Sequence, residues 1–135
     1  MDPGRVRIGV AVSDETKTIA QPHSTIVRRG DREGLDRILG LVRELAVEEI
    51  VVGLPRRLDG SEGDSAREAR RLGQRLAELS GLPVSYCDER LTTLQAEREL
   101  RDLGAGAQRR RHLGDQVVAA LILQQHLTVR ARGTR

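Results

Sequence analysis

The chain has 135 residues, and the 38% that are hydrophobic suffice for the core of one domain over residues 1–135. Its single cysteine, Cys87, excludes an intramolecular disulfide and a cysteine-rich zinc site. The longest apolar run, from Val117 to Leu123, is too short to span a bilayer, and no segment resembles a signal peptide. We therefore expect a soluble, cytoplasmic protein with no membrane partner.

The positive charge of the chain is carried almost entirely by arginine. Lysine and arginine total 23 against 20 acidic residues, and Lys17 is the only lysine. The planar guanidinium binds phosphate oxygens in pairs, which suits a nucleic-acid ligand. A genomic base composition that favours arginine codons would produce the same excess of arginine over lysine without any functional cause. Tyr86 is the only aromatic residue, so base stacking is not expected to be the main mode of binding.

Three strands are predicted at the start of the chain. Asp2 precedes a Pro-Gly turn, and the β-branched run Val6–Val12 follows as a strand beside it. Thr18–Val27 is a third segment, in which Pro22 indicates an edge strand or a bulge because proline cannot donate to the ladder. Asp2 is therefore expected at the tip of the first strand.

Helices and strands alternate in the middle of the chain. Apolar residues between 35 and 45 recur at helical spacing and predict an amphipathic helix that ends near Glu48. Ile50–Pro55 is apolar without alternation, as expected for a parallel strand covered on both faces. A second helix is predicted from residue 61 or 64 to Ser80, where a glycine stops it.

The last third of the chain is predicted as a strand and two helices. A strand at 83–87 leads into a capped helix from Thr92 through Leu100, and Gly104–Arg111 is expected to be mobile. The last helix carries Asp115 in its first turn, and residues from about 128 to 135 are expected to form a disordered tail. The order β-β-β-α-β-α-β-α-α predicts an α/β fold with three antiparallel strands followed by parallel ones, five in all, flanked by helices.

Four acidic residues are expected to meet at one edge of this sheet. Parallel α/β sheets place functional residues at the carboxyl ends of their strands, where Asp2, Asp88 and Glu89 are predicted, and Asp115 must lie nearby. Converging carboxylates repel one another unless a cation lies between them, and their oxygens suit Mg²⁺ or Mn²⁺. Two such ions can clamp the attacking and leaving oxygens of a phosphodiester, so no nucleophilic side chain is required.

Each of these residues also has a simpler explanation. Asp115 in a first helical turn is favoured by the helix dipole. Asp88 and Glu89 can form an ordinary acidic strand end with Arg90 as their ion-pair partner. His112, three residues before Asp115, can assist at a metal site or be a solvated side chain among arginines. Taken singly, none of these motifs is specific.

In combination, the motifs resemble the YqgF family of bacterial proteins, also described as RuvX or as Holliday junction resolvases. The matching stretches cover nearly the whole chain in the right order. They are Asp2–Asp14, Val51–Pro55 with Asp59-Gly60-Ser61, Asp88–Thr93, and Asp115 followed by Ala119-Ala120 and Ile122-Leu123-Gln124. The family has several apolar residues before the aspartate that matches Asp2, whereas Met1 alone precedes it here, so we expect a curtailed first strand.

The resemblance implies an RNase H-like fold, a divalent-metal nuclease site and a role in maturing the 5′ end of pre-16S ribosomal RNA. It assigns catalysis and metal binding to Asp2, Glu89 and Asp115, with Asp88 as the alternative to Glu89. Neighbouring residues of an extended segment point to opposite sides, so at most one of these two faces Asp2. The longer side chain favours Glu89. Phosphate contacts are expected from four arginines: Arg7, Arg56, Arg57 and Arg90.

Three functions stay open on the sequence. The first is a metal-dependent nuclease that acts on structured RNA, and the second is a resolvase of four-way DNA junctions, which would normally act as a symmetric dimer. The third is a non-catalytic nucleic-acid-binding factor in ribosome assembly. Pre-rRNA and branched DNA are both possible partners, as are a monomer and a homodimer. The lack of a second phosphate-binding glycine loop argues against ATP-using proteins of the same fold.

Overall fold

The computed structural model describes residues 1–3, 7–28, 31–57, 59–88 and 107–133. Within these ranges the chain forms five strands and three helices. They are β1 (Asp2–Pro3), β2 (Arg7–Ser13), β3 (Ala20–Val27), α1 (Asp31–Glu44), β4 (Ile50–Leu54), α2 (Asp64–Ser80), β5 (Val84–Asp88) and α3 (Ala107–Gly133). The helix predicted from Thr92 through Leu100 lies outside the described residues.

The first three strands form an antiparallel sheet in the order β1-β2-β3. In β1, Asp2 is the partner of Gly9 on β2. β2 pairs with β3, and the register shifts between Val10 and Ala11, where Pro22 stands opposite Ala11. The prediction that Pro22 marks an edge strand or a bulge is confirmed, since β3 is both the edge of this sheet and the partner at the bulge.

β4 and β5 form a second, parallel sheet. Met1 lies between the two sheets: its amino group donates to the carbonyl of Val51 at 2.6 Å, and its carbonyl accepts from the N–H of Gly53 at 2.8 Å. β1 comprises two residues, Asp2 and Pro3. A cavity of about 490 Å³ lies beside Met1, between the end of β2 and the start of β4. By strand pairing the structure therefore shows sheets of three and two strands, and the single sheet of five stays a prediction from the sequence.

The hydrophobic core is divided between the two faces of the strands. On one face α1 and α2 cover the strands, and on the other α3 contacts Val51 through Val118 and Ile122. All five residues of β4 are buried, which confirms the prediction of a strand covered on both faces. The larger cluster comprises Met1, Ile8, Val10, Ile26, Leu35, Ile38, Ile50, Val52, Leu54, Ala66, Ala69, Leu72 and Leu76.

The ends of α1 and α2 follow from backbone conformation. α2 has its predicted limits, and Gly81 ends it with a φ of 72° while its N–H donates to the carbonyl of Ala77 at 3.0 Å. α1 ends at Glu44, earlier than the predicted end near Glu48, because Ala46 has a φ of 50°. A left-handed residue cannot continue a right-handed helix.

α3 is longer than predicted at both ends. It begins at Ala107, within the segment expected to be mobile, and the tail predicted from residue 128 is helical as far as Gly133. Leu127 is buried, and the guanidinium of Arg130 pairs with Glu49 at the start of β4, which anchors this end of the helix. Asp115 therefore lies about two turns inside the helix. None of the helices in the described ranges is long and apolar enough to cross a membrane.

Candidate active site

The backbone of α3 touches β2 at Gly9. A Cβ atom at residue 9 would lie 1.9 Å from the carbonyl oxygen of Asp115 and 3.0 Å from the Cβ of Asp115. No side chain fits into so short a distance, so glycine is required for the close approach of helix and strand. Gly9 thus places Asp115 directly over β2.

Asp2 lies on the same face of the sheet as Asp115. It is the cross-strand partner of Gly9, and directly opposite residues of antiparallel strands project their side chains to the same face. The position that a Cβ of Gly9 would occupy points at Asp115, so the side chain of Asp2 also lies on the face that α3 covers. The structure therefore places two of the carboxylates predicted from the sequence on the same face of the sheet.

Arg7 contacts one of these carboxylates. It lies two residues before Gly9 on β2, and hence on the same face. Its Nε atom lies 2.8 Å from Oδ2 of Asp115, and the two side chains are 28% and 23% exposed. The sequence predicts Arg7 as a phosphate contact but contains no signal for this ion pair, which joins residues from opposite ends of the chain.

Two glutamines hold α3 across β3. Nε2 of Gln116 donates to Oγ1 of Thr25 at 3.1 Å. Gln124 accepts from the backbone N–H of Ala20 and donates to the carbonyl of Thr18, both at 3.0 Å. These residues position α3 over the strands; the sequence analysis named Gln124 only as part of a family motif and did not identify Gln116. The signal available was that glutamines flank the apolar run Val117–Leu123 of this helix.

Asp88 lies on the opposite face from Asp115. It pairs with Leu54, which belongs to the core cluster beneath α2. Tyr86, two residues earlier on β5, donates its hydroxyl to the carbonyl of Arg70 on α2 at 3.2 Å. Cys87, between them, packs against the α3 cluster instead. Because side chains alternate along a strand, Asp88 faces α2 and not α3.

Asp88 takes part in an ion-pair network on the α2 face. One guanidinium nitrogen of Arg56 lies 3.9 Å from Oδ2 of Asp88, and another lies 3.7 Å from Glu62. Arg70 binds both oxygens of Glu62, at 2.6 and 2.8 Å, and this contact holds the pKa of Glu62 below its usual value. In this network the guanidinium of Arg56 is paired with the carboxylates of Asp88 and Glu62.

The remaining predicted site residues have different positions. Arg57 is exposed, and its guanidinium lies against Gly63, where a Cβ would be 2.9 Å from a guanidinium nitrogen. Glu89 and Arg90 lie outside the described residues, and so does the side chain of His112. Among the residues that the structure does describe, no group of three or more His, Cys, Asp and Glu is arranged to hold a metal ion. The three-carboxylate site therefore stays a prediction.

Sequence comparison assigns the chain to a family. A family model described as "RuvX: Holliday junction resolvase" matches residues 1–129. The chain belongs to this family. A protein of Anaeromyxobacter dehalogenans (strain 2CP-C) is 47% identical over 131 residues, which cover 97% of this chain and 96% of that protein. A protein of Thermosynechococcus vestitus (strain NIES-2133) is 40% identical over 132 residues, which cover 98% and 87%.

Both relatives bear the name "Putative pre-16S rRNA nuclease". The resemblance to the YqgF/RuvX family is thereby confirmed. So is the prediction that the chain is a nuclease, that is, a hydrolase of phosphodiester bonds.

Comparison with solved structures shows the fold. Thermus thermophilus RuvC has a TM-score of 0.54 at 18% identity, covering 97% of this chain and 93% of that one. T. thermophilus RuvC in complex with a Holliday junction substrate has a TM-score of 0.56 at 21% identity, covering 96% and 92%. The prediction of an α/β, RNase H-like fold is confirmed by this structural similarity.

Proposed function

We propose that this protein is a metal-dependent nuclease that processes the 5′ end of pre-16S rRNA during ribosome biogenesis in the cytoplasm. The observation that carries the proposal is the contact of Asp115 with Gly9, the strand partner of Asp2. It gathers two carboxylates from opposite ends of the chain on one face of the strands. The names of the curated relatives support pre-16S rRNA as the substrate.

The carboxylates fit a divalent cation. Asp2 and Asp115 are both partly exposed, although Oδ2 of Asp115 is itself buried, and carboxylate oxygens are the ligands that Mg²⁺ and Mn²⁺ prefer. Two such ions bound there would activate a water molecule and neutralise the charge that develops on the phosphodiester. The packing of α3 against β2 holds Asp115 on the face of Asp2. Gly9 permits this packing because it has no side chain between the helix and the strand.

We assign the third metal ligand to Glu89. Cys87 lies on the α3 face and Asp88 on the α2 face, and in a strand that stays extended the next residue returns to the α3 face. This alternation supports Glu89 over Asp88 as the partner of Asp2 and Asp115. Asp88 then serves the ion-pair network around Arg56.

The phosphate contacts are assigned to Arg57 and Arg90, with Arg7 as a further candidate. Arg57 is exposed and follows the carboxyl end of β4, the end of the strand nearest to Asp88. Arg56 is a weaker candidate because its guanidinium lies between two carboxylates.

Met1 supports one continuous sheet in the order β3-β2-β1-β4-β5. Its amino group and its carbonyl bind Val51 and Gly53 in the pattern of two parallel strands. In such a sheet β1 is the central strand, and Asp2 lies between β2 and β4.

A four-way DNA junction is the second candidate substrate. The description of the family model and the RuvC neighbour that is bound to a junction favour it. A resolvase must cut two strands related by symmetry, so this candidate requires a homodimer, whereas the rRNA nuclease can act as a monomer.

The test is incubation of the purified protein with a precursor rRNA fragment and with a DNA junction, each with Mg²⁺, Mn²⁺ or EDTA. We expect cleavage of the rRNA precursor, its loss in EDTA and its return with excess metal. Cleavage that persists in chelator would exclude the metal mechanism. Cleavage of the junction alone would establish the resolvase, and binding without cleavage in any condition would indicate an assembly factor.

A further inference from the structure

We propose that Arg7 competes with the divalent cation for the carboxylate of Asp115 and so sets the affinity of the site for metal. The inference rests on the proposed function, since it assumes a cation at Asp115. Arg7 thus has a second role besides its predicted contact with phosphate: through Asp115 it lowers the affinity for the metal.

The geometry makes the two cations rivals for one oxygen. Nε of Arg7 lies 2.8 Å from Oδ2 of Asp115. A metal ion that ligates this carboxylate would stand within a few ångströms of the guanidinium. Like charges at this separation repel, and more strongly where water is partly excluded, as it is here with about three quarters of each side chain covered. Arg7 must therefore move away from Oδ2, or the cation binds less tightly.

The backbone keeps the two residues in contact. Arg7 begins β2 and is paired with Val27 of β3, so its main chain is held in the sheet. Asp115 is held by the contact with Gly9 and by the hydrogen bond from Gln116 to Thr25. The side chain of Arg7, unlike its main chain, can move away from a competing cation.

The composition of α3 adds to the cost of moving Arg7 away from Asp115. From Ala107 to Gly133, Asp115 is the only acidic residue, so a displaced guanidinium finds no second carboxylate on the helix. Displacement therefore leaves the charge of Arg7 without its partner on α3, and that cost is subtracted from the binding free energy of the metal.

The experiment measures Mn²⁺ affinity by titration with electron paramagnetic resonance, which counts the free ion and needs no substrate. The variant Arg7→Gln removes the charge. The matched control is Arg37→Gln, which removes the same charge from an exposed pair with Glu33 on α1. We expect Arg7→Gln to lower the Kd for Mn²⁺ about three- to tenfold, and Arg37→Gln to change it by less than about twofold.

Two further variants separate competition from other effects. Arg7→Lys keeps the positive charge and is expected to stay within about twofold of wild type. In an Asp115→Asn background, Arg7→Gln is expected to give no gain, because the residue for which it competes is gone. Arg7→Met replaces Arg7→Gln as the neutral variant if the latter does not fold, and the same gain is expected.

The outcomes distinguish this inference from the metal site itself. Equal or weaker Mn²⁺ binding by the neutral variants, with wild type binding normally, would overturn the competition and leave the metal site intact. A gain in Arg7→Lys as large as that in Arg7→Gln would also overturn it. Absence of Mn²⁺ binding by wild type and by every Arg7 variant would overturn both proposals.

Discussion

The acidic residues on the two faces of the strands differ in their ion-pair partners. On the α2 face, Asp88 and Glu62 lie among the guanidinium groups of Arg56 and Arg70, two acids with two arginines. On the α3 face, the guanidinium of Arg7 lies against Asp115, and Asp2 projects to the same face. The first set comprises two acids and two arginines, and the second, among the side chains that the structure describes, comprises two acids and one arginine.

This difference indicates which face serves chemistry. A balanced network stabilises the surface and has no need of a further cation. An excess of carboxylates on a face where a helix approaches closely is unfavourable unless a cation reduces their repulsion. The α3 face is therefore the one that we expect to bind metal, and the following variants test that distinction.

The largest effect is expected from Gly9→Ala, which separates α3 from the strands. The added Cβ would meet the carbonyl oxygen of Asp115 at 1.9 Å, and backbone on both sides has to move. We expect a loss of about 3 kcal/mol in the free energy of unfolding, together with loss of cleavage. Urea denaturation measures the first and the rRNA cleavage assay the second.

The matched control for this variant is Gly40→Ala in the exposed middle of α1, where an added Cβ meets nothing within 4 Å. It should raise the free energy of unfolding by about 0.5–1 kcal/mol, through helix propensity alone. Equal stability of Gly9→Ala and wild type would show that α3 does not rest on β2 as described.

Asp115→Asn and Asp88→Asn compare the two faces directly. We expect Asp115→Asn to lower kcat at saturating substrate by about 100-fold or more, since it removes a carboxylate that we assign to the metal site. Asp2→Asn and Glu89→Gln are expected to behave in the same way. Asp88→Asn is expected to lower kcat by less than about tenfold, because its carboxylate serves Arg56.

Steady-state cleavage at saturating substrate and saturating Mg²⁺, which gives kcat, is the measurement. An inactive Asp88→Asn beside a normal Glu89→Gln would reverse the assignment of the third ligand while preserving the site. Normal cleavage by all four variants would remove the carboxylate mechanism altogether.

The smallest effect is expected from the two arginines that follow β4. Arg57→Ala removes an exposed guanidinium and is expected to flatten the slope of log K against log salt by about 0.7 for one phosphate contact on single-stranded RNA. Arg56→Ala is expected to change it less, because that guanidinium is paired with Asp88 and Glu62. Fluorescence anisotropy of a labelled rRNA fragment over a range of KCl concentrations gives both slopes. A larger change for Arg56→Ala would show that the α2 network opens to bind substrate.

Local sequence signals predicted elements whose limits depend on nearby residues. The apolar run Ile50–Leu54, the helix that ends at Ser80 and the bulge at Pro22 all appear where their side chains and backbone preferences demand. The end of α1 was misplaced because Ala46 adopts a left-handed conformation that alanine does not favour by itself. The last turns of α3 were missed because buried Leu127 and the pair of Arg130 with Glu49 are tertiary contacts.

The family, the order of the elements and the acidic residues from which a metal site can be built were all predictable, because they reside in residue types and in their spacing along the chain. Which carboxylates share a face depends instead on tertiary contacts. Asp115 meets the partner of Asp2 because Gly9 has no side chain, and Asp88 turns toward α2 because its register with Leu54 places it there. Contacts of this kind join residues far apart in the chain, so no local pattern records them, and the ion pair of Arg7 with Asp115 is of the same kind.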